Sequence, residues 1–190
     1  MKGKKILVAV VAVFAVIGIL IGFVAGSYNS IVEAQTKVET KQADIQTQLQ
    51  RRADLIPNFA ETVKGYSKHE KETFAAVTEA RSAVSKASNA QELSEASEKL
   101  DGAISVWVNA VTEAYPELKA SANFIALQDE LAGTENRIAV ARKDYNEAVE
   151  SYNTMIKKFP KNILAGMFNF EKAEFFKADD NSLTTPSLEF

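Results

Sequence analysis

The hydrophobic residues of this chain begin as one unbroken run. Residues 6–25 read ILVAVVAVFAVIGILIGFVA and contain no charged side chain. As an α-helix this segment would be about 30 Å long, which is the thickness of the hydrocarbon core of a bilayer. The pattern therefore predicts one transmembrane helix from Ile6 to Ala25, preceded by a short basic N-terminus at residues 1–5.

A cleaved signal peptide is the alternative interpretation of this segment. Residues 1–5, MKGKK, would be its basic region, and Val24-Ala25-Gly26 is an acceptable cleavage site. The apolar stretch of a signal peptide is usually about 7–15 residues long. Here bulky side chains such as Ile21 and Phe23 continue to the end of a longer run, so we favour an uncleaved anchor.

Flanking charge predicts the orientation of the span. Lys2, Lys4 and Lys5 precede it, whereas Lys37 and Lys41 on the other side are offset by acidic residues. Because basic residues remain preferentially in the cytoplasm, we expect the N-terminus there and the following domain on the opposite side of the membrane.

After the span, apolar residues recur every three or four positions, and no alternation of period two persists. This spacing keeps one seam of a helix against a partner helix, as in coiled coils and helical bundles. The longest seam consists of Phe124, Leu127, Leu131, Thr134, Ile138, Ala141, Tyr145, Ala148, Tyr152, Met155 and Phe159. Two further seams occupy residues 55–87 and 91–114.

Residues 28–52 carry a weaker version of the same pattern. Ile31, Val38 and Ile45 are apolar, but Gln35 and Gln42 interrupt the series. A helix with this pattern would bury less surface than the seams do, so we expect the membrane-proximal part to stand as a stalk that continues the span.

Capping residues and prolines predict where the helices begin and end. Asp54 could cap a new helix with Pro57 in its first turn, or Pro57 could kink one long helix. Pro116 and Pro160 are expected to end the third and fourth helices. The other predicted caps are, in chain order, Asn89 with Glu92 in a capping box, Ser121 or Asn123, and Asn162 before a short helix at 163–168.

These elements predict an all-α fold. An antiparallel bundle of about four long, coiled-coil-like helices would occupy residues 26–170, because short connections leave no other way to bury the seams. Residues 171–190 form an acidic and aromatic C-terminal tail, and we expect some of the phenylalanines in this region to hold it against the bundle.

Charge and composition argue against several functions. Without its first three lysines the chain has 19 basic and 25 acidic residues, a net charge of −6, which disfavours binding to nucleic acid or to anionic headgroups. There is no cysteine, and His69 is the one histidine, so the HExxH zinc motif is incomplete because Thr73 stands at its second histidine position. We expect no catalytic residue, no metal site and no cofactor.

Two places in the sequence could still matter. Glu70 occupies a seam position, where we expect an ionic partner such as Arg137 or Arg142. The segment RRADLIPNF, residues 51–59, concentrates donors and capping groups at a helix junction. It is either a structural junction or a docking site for another protein, and its candidate residues are Arg51, Arg52, Asp54, Leu55, Ile56, Pro57 and Asn58.

Several motifs of the chain are familiar. They are Tyr28-Asn29, QLQRRADLIPNFAETVKGYSKHEKETFAAVTEAR at 48–81, Tyr145-Asn146, Tyr152-Asn153, Phe159-Pro160, FNFEKAEFF at 168–176 and the terminal Leu188-Glu189-Phe190. With the N-terminal span they resemble the LemA family of bacterial membrane proteins over nearly the whole chain. Phe59 departs from the family pattern, in which a smaller aliphatic residue is common.

The resemblance implies a membrane-anchored antiparallel helical bundle, related to magnetosome-membrane proteins of the same type, in the inner (cell) membrane of a bacterium. It implies no catalytic residues, and it directs attention to residues 51–58. Family members have also been described with the domain in the cytoplasm, so the sidedness stays open between the two.

Together these observations predict a membrane-anchored helical protein with a scaffolding or protein-interaction role. A protein partner or self-association is expected, in addition to the membrane. A module that senses a small ligand between its helices, through a cavity lined by Tyr66, Trp107 or Tyr152, is one alternative. A hydrolase that uses carboxylates of the bundle is another.

Overall fold

The computed structural model describes residues 2–62 and 71–176, and within these ranges the fold is all-α with no β-strand. This confirms the predicted fold class. The helices are α1 (Lys2–Thr62), α2 (Lys71–Lys86), α3 (Ala90–Ala114), α4 (Ala122–Lys157) and α5 (Lys161–Met167), and a 3₁₀ turn (Pro116–Ala120) joins α3 to α4.

The described residues form two compact units, and α1 and α4 contribute to both. We call residues 2–39 and 148–173 the span unit, and residues 40–62, 71–147 and 174–176 the bundle unit. The span unit contains the first part of α1, the end of α4 and all of α5. The bundle unit contains the rest of α1, with α2, α3 and most of α4.

Helix directions in the bundle unit follow from polar contacts between helices. Lys41 Nζ of α1 lies 3.1 Å from Asp144 Oδ2 of α4, and Arg52 farther along α1 pairs with Glu135, which comes earlier in α4. The two helices therefore run antiparallel. Gln46 donates to the carbonyl oxygen of Val84 at 2.9 Å, and α1 and α2 are likewise antiparallel because Asp54, farther along, pairs with Arg81.

The predicted seams form the interior of these units. Burying one large aliphatic or aromatic side chain contributes about 1.5–3 kcal/mol, so the seams are the main source of stability. The bundle unit buries Ile45, Leu49, Ile56, Val77, Val84, Leu93, Leu100, Ile104, Trp107, Val111, Phe124 and Ile138, each with little or no exposed surface. Thr134, the polar member of the α4 seam, is also buried and donates to the carbonyl oxygen of Leu131 at 2.8 Å.

Within the described residues, α1 is the one helix long and apolar enough to cross a membrane. The apolar side chains that the structure describes between Leu7 and Val24 are exposed, as expected for residues that face lipid. They include Leu7, Val10, Val11, Val13, Phe14, Val16, Ile17, Ile19, Leu20, Ile21, Phe23 and Val24. The chain is therefore a membrane-associated helical protein.

The predicted stalk does continue the span, since α1 is unbroken through residues 28–52, but the low burial expected of it is wrong. Ile31 and Val38 are buried in the span unit, and Ile45 is buried in the bundle unit. The interrupting glutamines do not prevent this packing, because they lie at its edge with their amides bonded. Gln35 donates to Glu39 at 3.3 Å, and Gln42 donates to the carbonyl oxygen of Ser88 at 3.2 Å.

The structure also decides between the two readings of Pro57. Helix α1 continues through Pro57 to Thr62, so Asp54 lies inside a helix and does not cap one. The alternative of one long helix through Pro57 is therefore correct, and residues 55–62 of the predicted 55–87 seam belong to α1. Tyr66, His69 and Glu70, which belong to that prediction, lie outside the described residues.

The other predicted caps are partly correct. Asn89 caps α3 by accepting from the backbone N–H of Glu92 at 2.9 Å, as predicted. The carboxylate of Glu92 accepts from the N–H and hydroxyl of Ser88 and so extends the capping box by one residue. Both hydrogen bonds lower the pKa of Glu92, and the bond from the backbone N–H has the larger effect. Ser121 caps α4 through the N–H of Phe124 at 3.2 Å.

Two predictions near the end of α4 are wrong. Asn162 does not cap α5, because the helix begins at Lys161 and the residue before it, Pro160, makes no side-chain cap. Phe159, the last residue of the predicted α4 seam, lies beyond the end of the helix and is 80% exposed.

We predict that Ile31→Ala destabilises the protein by about 2–5 kcal/mol, because Ile31 is fully buried and its truncation leaves a cavity. The neighbouring change Val32→Ala is the matched control, since Val32 is 37% exposed and should cost less than about 1 kcal/mol. Thermal unfolding followed by circular dichroism in detergent measures both. Equal and small losses of stability in the two variants would show instead that residues 28–52 bury little surface.

Candidate functional site

The residues of the 51–58 segment do not share one surface. Arg51 and Asn58 are exposed, Leu55 and Pro57 are half-buried, and Ile56 is fully buried. Because the segment is helical, its residues point in different directions around α1. Only the exposed members could contact a partner directly, and the interaction role of the segment stays a prediction.

Arg52 is the centre of an ion-pair cluster in the bundle unit. Its side chain is only 12% exposed, its Nη2 lies 3.3 Å from Asp101 Oδ1 of α3, and its Nη1 bonds to Glu135 of α4. A planar guanidinium can serve two carboxylates at once, whereas a lysine offers a single point charge. Arg52 therefore connects three helices through one side chain.

Asp54 adds a connection to the remaining helix of the unit. Its Oδ1 lies 2.7 Å from Nη2 of Arg81 in α2. Both side chains are about half exposed, so this pair contributes at most about 1 kcal/mol. The pair mainly determines the position of the helices, because together with Arg52 it joins α1 to α2, α3 and α4.

Burial changes the electrostatics of Arg52. Desolvation lowers the pKa of its guanidinium, Asp101 raises it, and Arg142 on α4 lowers it further. The lowered pKa shows that desolvation outweighs the attraction of the acidic partner. An ion pair of this kind selects one arrangement of the helices more than it adds to the free energy of folding.

The apolar side of the same segment packs against aromatic rings. Phe59 meets the rings of Trp107 and Phe124 edge to face, at centroid distances of 5.8 and 5.7 Å. Such pairs add about 0.5–1.5 kcal/mol beyond the area that they bury. The larger residue at position 59 is thus accommodated in the core between α3 and α4.

Another arginine, Arg142 of α4, contacts the chain after α5. Arg142 donates to the hydroxyl of Ser97 at 2.5 Å, and its guanidinium carbon lies 4.9 Å from the ring centroid of Phe176. Phe176 is buried, which supports the expectation that phenylalanines hold the C-terminal segment in place. Arg137 pairs with Glu130 at 3.2 Å. Glu70, for which Arg137 or Arg142 was the predicted partner, lies outside the described residues.

Two tyrosine–asparagine pairs bind the backbone of residues 171–176. In the span unit Asn153 donates to the carbonyl oxygen of Ala173 at 2.8 Å and accepts from its N–H at 2.9 Å, while Tyr152 donates to the carbonyl oxygen of Glu171 at 2.8 Å. One amide side chain thus satisfies both polar groups of one backbone residue, as a neighbouring β-strand would.

The same contacts recur in the bundle unit. Asn146 donates to the carbonyl oxygen of Phe176 at 3.1 Å and accepts from its N–H at 2.9 Å, while Tyr145 donates to the carbonyl oxygen of Glu174 at 2.8 Å. The two pairs are seven residues apart in the sequence of α4, and the backbone residues that they bind are three residues apart.

Sequence reasoning missed this role. It assigned Tyr145 and Tyr152 to the core, which is correct for their rings, and used the pairs only for a family resemblance. The signal was a polar dipeptide repeated at the heptad spacing, next to an otherwise apolar seam. Burial raises the pKa of both tyrosines, and Glu174 and Glu171 respectively raise it further, so both hydroxyls stay protonated and can donate at neutral pH.

A groove of about 410 Å³ lies between α1 and α4 in the bundle unit. It is open to solvent, and two of its buried side-chain atoms, Gln48 Oε1 and Arg137 Nε, have no hydrogen-bond partner among the described residues. Val140 contributes an exposed apolar side chain. The full lining is Asp44, Thr47, Gln48, Asn136, Arg137, Val140, Ala141 and Asp144.

No group of three or more histidine, aspartate or glutamate side chains within the described ranges could hold a metal ion. Trp107 and Tyr152, two of the residues proposed to line a ligand cavity, do not line the α1–α4 groove, and the third, Tyr66, lies outside the described residues.

Comparison with known proteins decides the family. The LemA family model matches residues 41–190, which includes the Arg52 cluster and both tyrosine–asparagine pairs. The chain belongs to the LemA family. Protein LemA of Metamycoplasma hominis is 26% identical over 168 residues, covering 86% of this chain and 75% of that protein.

This LemA-family chain is also similar to magnetosome proteins. Magnetosome protein MamQ 2 of Paramagnetospirillum magneticum is 26% identical over 189 residues, and Magnetosome protein MamQ of Magnetospirillum gryphiswaldense is 23% identical over 189 residues. Each comparison covers 85% of this chain and 70% of the relative.

We predict that Arg52→Met destabilises the protein by about 2–3 kcal/mol, because it leaves Asp101 and Glu135 without the charge that joins them. Arg51→Met is the matched control, since Arg51 is exposed, and should change stability by less than about 0.5 kcal/mol. Chemical denaturation measures both. If the two variants were equally stable, Arg52 would not hold the helices together.

We also predict that Asn153→Ala exposes the backbone at Ala173. Two hydrogen bonds of about 1 kcal/mol each are lost, so the Ala173 amide should exchange with deuterium about 10-fold faster or more. Asn136→Ala, on the exposed face of α4, is the control. Unchanged exchange at Ala173 in Asn153→Ala would show that other contacts hold residues 171–173.

Proposed function

We propose that this protein is a membrane-anchored scaffold, in which the α1 segment Ile6–Ala25 stays in the bilayer and the bundle unit presents a binding surface to another protein. The observation that carries the proposal is the continuity of α1. The same helix has exposed apolar side chains through its first part and buried ones at Ile31, Ile45 and Ile56. We assign no reaction to the protein.

The groove between α1 and α4 is the surface that fits this role best. Asp44 and Asp144 are about half exposed at its side, and Val140 is 60% exposed. These side chains combine polar groups with an apolar contact point. Protein interfaces commonly place an apolar centre within such a polar rim.

The proposed orientation places the bundle outside the cytoplasm. Lys2, Lys4 and Lys5 stand before the span, and the positive-inside rule keeps such residues in the cytoplasm. We propose the inner membrane of a bacterium as the location, from the likeness to LemA-family and magnetosome proteins. Modification of Lys157 in intact cells by an amine reagent that does not cross membranes would test the sidedness.

We predict that a photo-crosslinking residue at position 140 captures a protein partner in living cells, while the same residue at position 106 does not. Val140 and Val106 are valines of the bundle unit with similar exposure, 60% and 57%, but only Val140 lines the groove. Capture should be lost when Asp44 and Asp144 are changed to lysine and the helix content is preserved. Equal capture from both positions, or capture from neither, would contradict the role of the groove.

A further inference from the structure

The turn after α4, helix α5 and the residue that follows it expose large apolar side chains in the span unit. Phe159 is 80% exposed, Met167 is 69% exposed, and Ile163 and Phe168 are about half exposed. Ile163 and Met167 are four residues apart in α5 and share one face, while Leu164 on another face is buried. We call residues 157–170 the hook segment.

The hook segment contacts α1 beside the last turns of the predicted span. Phe168 lines an open, almost wholly apolar cavity of about 440 Å³ together with Leu20, Ile21, Val24, Ala25, Tyr28 and Asn29. The ring of Tyr28 lies 4.9 Å from that of Phe168 and 5.7 Å from that of Phe170. All these residues belong to the span unit.

This contact fixes the depth of the hook segment. Leu20 is about 7.5 Å below Ala25 along the helix axis. If the span ends at Ala25, a ring that shares a cavity with Leu20 lies at the boundary between hydrocarbon and headgroups. Aromatic side chains are enriched at this level of membrane proteins.

The backbone geometry of the hook segment supports its shape. Asn169 has a φ of 55°, and the N–H of Phe170 donates to the carbonyl oxygen of Ala165 at 2.9 Å. This hydrogen bond is the one that ends a helix in a Schellman motif, with asparagine in the left-handed position. The reversal directs the rings of both Phe168 and Phe170 towards Tyr28.

Charge in the hook segment differs from that of the rest of the chain. Residues 157–170 contain Lys157, Lys158 and Lys161 and no acidic residue, although the domain as a whole is acidic. Lys157 and Lys158 are exposed, and Lys161 is half-buried. Exposed apolar side chains together with lysines are typical of segments that lie in the interface of an anionic membrane.

We infer that the hook segment is a second membrane contact, which inserts Phe159, Ile163 and Met167 into the leaflet beside the span while its lysines bind anionic headgroups. This inference rests on the proposed anchor. A bilayer suits the surface better than a protein partner does, because the surface is continuous with residues 20–25, which already face lipid.

The absence of cysteine from the chain allows a direct test. Three full-length variants, Leu20→Cys, Met167→Cys and Val106→Cys, are each labelled with an environment-sensitive fluorophore. They are reconstituted in vesicles of phosphatidylcholine and phosphatidylglycerol, with or without lipids that carry a nitroxide quencher on the acyl chain. Leu20 reports the anchor, Met167 the hook segment, and Val106 an exposed apolar position of the bundle unit.

We predict loss of fluorescence by lipid quenching at Leu20 and Met167 and none at Val106. If Leu20 were quenched but Met167, like Val106, were not, the inference would be overturned and the anchor would stand. No quenching at Leu20 would overturn the anchor, and the inference with it. A Met167 label shielded from both lipid-borne and water-soluble quenchers would indicate a protein occupant, which also contradicts the inference.

The role of the lysines has its own comparison. Changing Lys157, Lys158 and Lys161 to glutamine should reduce quenching at Met167 in vesicles with phosphatidylglycerol to its value in phosphatidylcholine alone. Quenching at Leu20 should not change. If the substitutions left quenching at Met167 unaltered, anionic headgroups would not be the ligand of these lysines.

Discussion

One helix, α1, has to satisfy two different environments, and the rest of the structure follows from this constraint. In lipid every backbone group must be bonded within the segment, which a helix achieves by itself. Beyond residue 26 the same helix must bury one face, which requires partners. The change occurs between the exposed Val24 and the buried Ile31, where Ser27 is buried and Ser30 donates to its carbonyl oxygen.

The contacts that hold the partners of α1 are of two kinds. The apolar seams supply most of the free energy, because they remove large side chains from water. The polar contacts select the arrangement: Arg52 joins α1 to α3 and α4, and Asn146 and Asn153 bind backbone that would otherwise lack partners. Hydrogen-bonded asparagines of this kind favour one register of an extended segment over its neighbours.

Much of the fold could be predicted from the sequence because it depends on periodicity. The α4 seam and the caps at Asn89 and Ser121 are local patterns, and the structure contains them. The low burial expected of residues 28–52 was a wrong prediction because Gln35 and Gln42 were counted as interruptions. Glutamine at the edge of a seam bonds its amide and leaves the apolar positions buried. Such compensation depends on neighbours that are distant in the chain.

The candidate site was less predictable than the fold. Residues 51–58 were recognised as a group, yet the acidic partners of Arg52 lie in α3 and α4, and no local spacing identifies them. The role of Asn153 depends on a segment about twenty residues later that has no regular secondary structure. The basic character of the hook segment was also not predicted, because the net charge of the whole domain is negative.

The most direct test of this account is hydrogen exchange along α1 in the full-length protein isolated from membranes. An uncleaved anchor that continues into the bundle predicts that peptides from residues 10–24 are present and that protection extends without a gap through Ile45. Missing N-terminal peptides, or a rapidly exchanging stretch between Ala25 and Ile31, would contradict a single helix that is both anchor and core.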